Sequence, residues 1–317
     1  MIIHTKEDCN NFLLSLNLIN KNISDSEKLR LLYTLTNPIE KNYKIYKIRK
    51  KNGQFRQIYI PNNLLKSIQR KILKNILNNK KISIYAKAYK KGICLKDNAY
   101  PHLNKKIILK LDIINFFDNI EYYDIYRTCF SKEYFPPSVG HLLTNLCTYE
   151  SRLPQGAPTS AYISNLVLKE FDEEIGHWCD EHNISYTRYS DDMTFSGDFN
   201  PQEIIKKVRH YLNYLNLKLN NKKIKVISNS KQQRVTGLVV NKKIQVPKKY
   251  RYKIRQEVYY IKKYGLLSHL QKINYEDKPL HYLNSLLGRL NYLLSINSNV
   301  EFIKYKEYLT KLRKTYL

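Results

Sequence analysis

Two adjacent acids inside a β-prone run constrain this chain more than any other feature. Tyr186-Thr187-Arg188 and Met193-Thr194-Phe195 both favour strand, and Tyr189-Ser190-Asp191-Asp192 stands between them. Ser and Asp are turn residues, because their short side chains hydrogen-bond nearby backbone. The segment 186–195 therefore reads as two short strands joined by Ser190-Asp191-Asp192, an acid pair on a tight hairpin at a sheet edge. A second apolar strand, 107–114 (IILKLDII), ends near Asp112.

The elements around these strands follow from periodicity. Residues 5–36 read helical, with Phe12, Leu13 and Leu16, then Leu29, Leu32 and Leu35, at helical spacing. Segments 43–48 and 55–60 alternate like strands around Asn52-Gly53, a hairpin signal closed by Pro61. An amphipathic helix with a basic outer face is expected over 64–77. The period turns helical over 115–130 and over 158–178, where Pro158 opens the helix and Ile163, Leu166, Val167, Phe171 and Ile175 share a stripe. Residues 203–215 read as a further helix, 235–246 as a hairpin turning at Asn241-Lys242, and the chain beyond Pro247 as helical. Strands mixed with helices in this order suit an α+β sheet with helices on one face.

At about 150 residues per domain, 317 residues make roughly two compact units. A hydrophobic share of 43% excludes wholesale disorder. Charge is the outlying quantity: 55 Lys and Arg against 27 Asp and Glu leave +28. A surface this positive repels itself unless polyanions neutralise it, which points to nucleic acid. From residue 201 onward 26 bases face 6 acids, so +20 of the excess lies in the last third, the expected backbone-gripping surface. Tyrosines lie among those bases, as in Lys248-Lys249-Tyr250-Arg251-Tyr252-Lys253, a pattern suited to RNA stacking.

The five cysteines, Cys9, Cys94, Cys129, Cys147 and Cys179, are odd in number and never spaced C-x-x-C, so neither a disulfide framework nor a zinc knuckle is indicated. The N-terminus carries acids where a secretion signal would be basic and apolar, and no run approaches 18 apolar residues. A cytoplasmic protein with no membrane contact is expected.

The chemistry rests on carboxylates. Joining a nucleotide to a primer needs two hard cations about 3.5–4 Å apart, one activating the attacking hydroxyl and one clamping the triphosphate. Mg²⁺ takes oxygen ligands, usually one or two carboxylates per ion, and three acids on adjacent strand ends can bridge such a pair. Upstream, Leu153-Pro154-Gln155-Gly156-Ala157-Pro158-Thr159-Ser160 supplies a glycine that lets backbone approach a ligand and an amide that can bond a nucleotide.

With these residues in place the chain resembles a reverse transcriptase. The LPQGAPTS segment, the Y-x-D-D hairpin and the Asp112-x-x-x-Phe116-Phe117 passage occur in that family's order and spacing. Lys50-x-x-Gly53-x-x-Arg56, Ile60-Pro61 and Leu65-Lys66-x-x-Gln69-Arg70 look like its fingers. Asn98-Ala99-Tyr100-Pro101-His102 and Val235-Thr236-Gly237 match the N-A-x-x-H and V-T-G elements of the retron type. The resemblance covers about residues 43–245.

It implies a right-hand polymerase with N-terminal helices and fingers over 1–105, part of the fingers interleaving with the palm, a ferredoxin-like palm over 106–246 and a helical basic thumb over 247–317. Asp112, Asp191 and Asp192 become the catalytic, metal-binding acids for two Mg²⁺, with the Ile113 carbonyl an extra ligand. Lys50 and Arg56 would meet the triphosphate, Phe117 would gate the ribose 2′ position, and Gln155 and Gly156 would lie at the nucleotide. Gly237 and Leu238 would belong to the primer grip. Asn98, His102, Val235 and Thr236 would recognise RNA or brace the scaffold, and Lys248, Lys249, Arg251 and Lys253 would grip RNA.

The implied activity is reverse transcription of a cognate structured noncoding RNA, from dNTPs, into a branched RNA–DNA hybrid (msDNA), primed at a guanosine 2′-hydroxyl. It would serve antiphage defence with a separate effector, a host RNase H trimming the template. Competing readings are a noncatalytic RNA-binding scaffold and a group II intron or diversity-generating enzyme. The chain departs from the family pattern in three places. Ser190 replaces the commoner Ala, Ile224 replaces Thr after Lys223, and the basic C-terminal third matches no motif.

Overall fold

The computed structural model describes residues 5–19, 22–49, 53 and 55–316. The N-terminal helical stretch is two helices, α1 (Lys6–Ser15) and α2 (Asp25–Leu35), each opened by a capping box, from Thr5 and Ser24 respectively. Strands β1 (Tyr43–Arg49) and β2 (Phe55–Pro61) pair antiparallel in the register Tyr43↔Pro61 to Arg49↔Phe55. Their turn residue Asn52 lies outside the described residues. Asn62 then caps α3 (Asn63–Asn75) by accepting the Leu65 N–H at 2.9 Å, and Leu65, Ile68 and Ile72 bury one stripe of it.

A short helix α4 (Leu95–Ala99) precedes β3 (Ile107–Asp112), α5 (Tyr122–Cys129) and α6 (Pro137–Cys147). Helix α6 stands outside the elements expected from sequence, although its buried Val139, Leu142, Leu143, Leu146 and Cys147 recur at helical spacing opposite the exposed Ser138 and His141. The helix expected over 158–178 is two: α7 (Ser160–Val167) and α8 (Lys169–Glu181), divided where Leu168 takes ψ 8°. The stripe hid this break, since Ile163, Leu166 and Val167 on one side and Phe171 and Ile175 on the other are all buried. Pro158 lies ahead of α7 rather than in its first turn.

Strands β4 (Ser185–Tyr189) and β5 (Asp192–Gly197) flank the acid-bearing turn, followed by α9 (Pro201–Tyr214) and β6 (Lys225–Ser228). The four-stranded sheet has the order β4-β5-β3-β6, which puts the strand ending in Asp112 beside the strand beginning with Asp192. The later hairpin pairs β7 (Arg234–Val235) with β8 (Leu238–Val239). Its turn is Thr236-Gly237, φ 44° and 86°, ahead of the expected reversal at Asn241-Lys242, which is also present: Val239 and Gln245 pair antiparallel across it, exchanging backbone bonds at 2.8 and 3.1 Å. Positive φ at both central positions is what the type I′ hairpin loop requires, and Asn241 in the following reversal also bridges Gln233 N, Asn229 O and Lys231 O with its side chain. The chain ends in four helices, α10 (Lys248–Tyr264), α11 (Leu266–Lys272), α12 (Pro279–Ile296) and α13 (Val300–Lys314).

The mixed α+β class expected from sequence is the one observed. Two compact units divide the chain. Residues 1–93, 109–195 and 199–226 form the first, and 94–108, 196–198 and 227–317 the second. Each has its own core. The first packs Leu65, Ile68, Leu109, Leu111, Ile163 and Phe195; the second packs Ile108, Val235, Leu238, Ile254, Leu286 and Phe302. Among the described residues no helix is long and apolar enough to cross a membrane.

Candidate active site

The turn between β4 and β5 is built by Ser190 at φ 62°, a left-handed value that lets two strands reverse in two residues. Its position beside β3 is fixed by backbone: the Ile113 N–H donates to the Asp191 carbonyl at 3.2 Å. Acids 79 positions apart thereby come to adjacent strand ends. Asp112 is 5% exposed, whereas Asp191 and Asp192 are half-buried.

The three carboxylates feel one another. Burial raises the pKa of Asp191, and the Asp112 charge adds to it while Lys223 and Arg56 oppose. Burial also raises that of Asp192, with Asp191 and Asp112 adding and Lys110 opposing. A cluster of carboxylates whose ionised forms repel one another in a partly dehydrated setting is stabilised by added positive charge.

Lys223 supplies some of that charge. Its Nζ donates to both oxygens of Asp112, at 2.9 and 2.7 Å. Backbone delivers it there, since Asn220 N donates to Asp112 O at 2.8 Å and Ile114 N to Lys218 O at 2.9 Å. Burial disfavours the Lys223 charge, but the bonds to Asp112 outweigh it and raise the pKa. The Lys223 spacing was visible in the sequence; its partner was not.

Beneath the turn lies an ion pair that sequence reading missed. Arg188 and Asp172 are both 0% exposed. Arg188 Nε and Nη2 donate to the two oxygens of Asp172, at 2.8 and 2.5 Å, and its Nη1 donates to the Ser190 carbonyl at 2.9 Å. Tyr186 OH donates to the same Asp172 at 2.8 Å. One guanidinium thus anchors the turn's backbone to α8. An Arg three residues before the acid pair and an Asp on the apolar stripe of a helix were the available signals.

Of the nucleotide-side candidates, Gln155, Gly156 and Arg56 lie at β2. Gln155 offers its carbonyl to the Tyr59 N–H at 2.7 Å. Gly156 has φ 120°, and a Cβ there would lie 2.7 Å from the Tyr59 carbonyl oxygen, so the close approach of this loop to β2 requires glycine. Arg56, exposed on β2, is near enough to act on Asp191. Phe117 is half-buried and edge-on to the buried Phe116, centroids 5.4 Å apart. Lys50 lies outside the described residues.

The second unit holds the remaining candidates. The two retron-type elements meet: Asn98 Nδ2 donates to Thr236 Oγ1 at 3.3 Å. His102 is 0% exposed, with Nδ1 2.7 Å from Ser196 Oγ. Val235 and Leu238 are 0% exposed and belong to the core, which leaves the Thr236-Gly237 turn as the part of this element able to face a ligand. Lys248, Lys249 and Lys253 are exposed on α10, and Arg251 is half-buried there.

Among the described residues no group of three or more His, Cys, Asp or Glu forms a ready ligand sphere for a metal. The donor chemistry at Asp112, Asp191 and Asp192 nevertheless suits a hard divalent cation, because every side-chain donor is a carboxylate oxygen and their mutual charge is only partly neutralised by Lys223.

Comparison with known proteins identifies the family. Residues 48–283 match the family model of reverse transcriptase (RNA-dependent DNA polymerase). The chain is 30% identical over 298 residues to the retron Ec86 reverse transcriptase of Escherichia coli, covering 92% of this chain and 86% of that one. It is 31% identical to the retron Ec83 reverse transcriptase of the same species, over 78% and 81% of the two chains. The structure also resembles that of apo telomerase from Candida tropicalis, with a TM-score of 0.50 at 12% identity over 86% of this chain and 57% of that one, a likeness of fold alone. An acid-tipped hairpin laid against a third acidic strand end, in a chain aligned with these relatives over most of its length, leads to one conclusion: this protein belongs to the retron-type reverse transcriptases and is an RNA-directed DNA polymerase.

Proposed function

We propose that this polymerase copies a structured noncoding RNA into DNA that stays joined to it as msDNA, and that Asp112, Asp191 and Asp192 are its catalytic acids. One observation carries the assignment of the acids: the Ile113–Asp191 backbone bond, which sets the β3 end against the Asp191-Asp192 turn. These carboxylates would hold divalent cations, with the Ile113 carbonyl an added donor. Bound there, such cations would supply Lewis-acid stabilisation of phosphoryl charge and a more acidic primer hydroxyl.

The chain's own residues do the rest. Arg56 places a permanent charge on the triphosphate side, with Lys50, close to it in the sequence, as the second cation. The Gln155-Gly156 loop presents backbone to the nucleotide, and Phe117 stands where a ribose 2′-hydroxyl would collide. Lys223, bonded to both oxygens of Asp112, orients that carboxylate. Asn98, His102 and the Thr236-Gly237 turn brace or read RNA, and Lys248, Lys249, Arg251 and Lys253 track its backbone. The fingers, palm and thumb follow as 1–105, 106–246 and 247–317, and a role in antiphage defence with a separate effector, and template trimming by a host RNase H, complete the reading. Support for the RNA comes from the relatives' retron names and from the +28 charge.

The test is extension of an oligo(dT) primer on poly(rA) with labelled dTTP and Mg²⁺, together with sequencing of nucleic acid that co-purifies with the protein. Wild type extends the primer and retains one RNA covalently joined to DNA. Asp191→Asn/Asp192→Asn lowers the rate by about 10³-fold or more, the several kcal/mol of a lost metal clamp. Full activity in that variant removes the acids from the mechanism, and recovery of RNA with no attached DNA removes msDNA synthesis.

A further inference from the structure

Ser190 stands where alanine is commoner, and its hydroxyl has a partner that alanine would lack. Tyr89 OH donates to Ser190 Oγ at 3.1 Å. We propose that Tyr89 is a positioning residue for the catalytic turn, acting through the Ser190 hydroxyl. This inference rests on Asp191 and Asp192 being the catalytic pair and adds a residue 101 positions upstream to their support.

The local backbone is arranged to bring the two hydroxyls together. Arg188 N donates to Tyr85 O at 2.9 Å and Lys87 N to Arg188 O at 2.8 Å, so the segment 85–87 runs along β4 as a short parallel neighbour. Asn165 Nδ2 of α7 then holds the Ala88 carbonyl at 2.9 Å. Immediately after this anchor Tyr89 takes φ 60°, and Ser190 takes φ 62°. Left-handed backbone costs a non-glycine residue about 1 kcal/mol or more and persists only where its surroundings impose it. Two such residues here meet tip to tip.

Their burial differs in a way that bears on role. Ser190 is 7% exposed, while Tyr89 is 46% exposed. A tyrosine left half-exposed adds less to the core than a buried one, and the bond it makes is to the residue preceding the acid pair. Arg188 secures the Ser190 carbonyl from inside and Tyr89 secures its side chain, so the carbonyl and the hydroxyl are both held. Rotation of this residue would swing the Asp191 and Asp192 side chains, which follow it directly.

The test is a double-mutant cycle of Tyr89→Phe and Ser190→Ala on poly(rA)/oligo(dT), with thermal midpoints recorded for each protein. Tyr89→Phe deletes one oxygen, and Ser190→Ala restores the commoner residue of the family, so both variants fold. Each single change is expected to lower kcat about fivefold, the worth of one neutral hydrogen bond, with KM for dTTP and the thermal midpoint unchanged. The double variant should match either single one, because both remove the same bond. Wild-type kcat in either single variant, effects that multiply in the double, or a loss confined to KM would overturn the proposal. Asp191→Asn/Asp192→Asn, run in parallel, separates the two readings. If that protein still polymerises, the catalytic assignment fails; if it is inactive while Tyr89→Phe matches wild type, only the role of Tyr89 fails.

Discussion

At the scale of single residues, the pair Arg188–Asp172 is the most consequential feature beside the acids themselves. Two opposite charges with no exposed side-chain surface persist only when each is fully bonded to the other. Asp172 accepts from Tyr186 and twice from Arg188, and Arg188 spends its remaining fork on Ser190. Removing one partner strands the other charge in the core. Asp172→Asn is therefore expected to destabilise the protein by about 3–5 kcal/mol in urea unfolding; a change below about 1 kcal/mol, the level of a surface pair, would show that the interior here is hydrated.

At the scale of elements, α10 and α12 are tied by Glu257. It accepts from Arg289 Nη1 and Nη2 at 2.8 and 2.5 Å and from Tyr282 OH at 2.9 Å, and Tyr282 OH also lies 2.9 Å from His269 Nε2 on α11. Burial pushes the Glu257 pKa up, but the bonds from Arg289 and Tyr282 outweigh it and leave it below the ordinary carboxylate range. A carboxylate with a depressed folded pKa contributes stability that is present above its unfolded value and lost as pH falls through the folded one. Urea titrations of wild type should show stability declining as pH drops below about 4.5, the ordinary value for Glu. Glu257→Gln should be less stable at neutral pH and should lose part of that acid dependence; parallel pH profiles for the two proteins would exclude the network as its source. The same α10 exposes Lys248, Lys249 and Lys253 on its outer surface, so one helix serves the core with Ile254, Val258 and Ile261 and leaves its cations for a polyanion.

At the scale of the whole molecule, the charge of +28 sets how binding responds to salt. Each phosphate neutralised releases counterions, so the logarithm of affinity falls linearly with the logarithm of salt, by about 0.9 per phosphate on duplex. Replacing Lys248, Lys249, Arg251 and Lys253 together by alanine is expected to flatten that slope in fluorescence anisotropy with structured RNA, by up to about one for each phosphate that the variant no longer neutralises. An unchanged slope would take α10 out of the interface.

Much of this was legible from residue order. The 186–195 run had to turn at its acids, because β-prone triplets flank them, and the structure turns there. The strand before Asp112 and the helix after Pro61 were equally plain, since local pattern and burial agree in both. Helical spacing of Val139, Leu142, Leu143, Leu146 and Cys147 marks α6 as well, a segment the expectations pass over. The α7–α8 break is hidden because buried residues on both sides of Leu168 continue one stripe, and the Thr236-Gly237 reversal is hidden by the Asn241-Lys242 signal that follows it.

What the amino-acid order determined alone is the inventory: three acids in strand-ending and turn positions, ordered family motifs, and a charge that calls for a polyanion. Which side chains face one another was decided only by the folded chain. Lys223 on Asp112, Arg188 on Asp172 and Tyr89 on Ser190 join residues 111, 16 and 101 positions apart. Propensity and period act over a few neighbouring residues, whereas these partners are brought together by strand pairing and core packing, whose free energy belongs to the assembled sheet and helices and to no local segment.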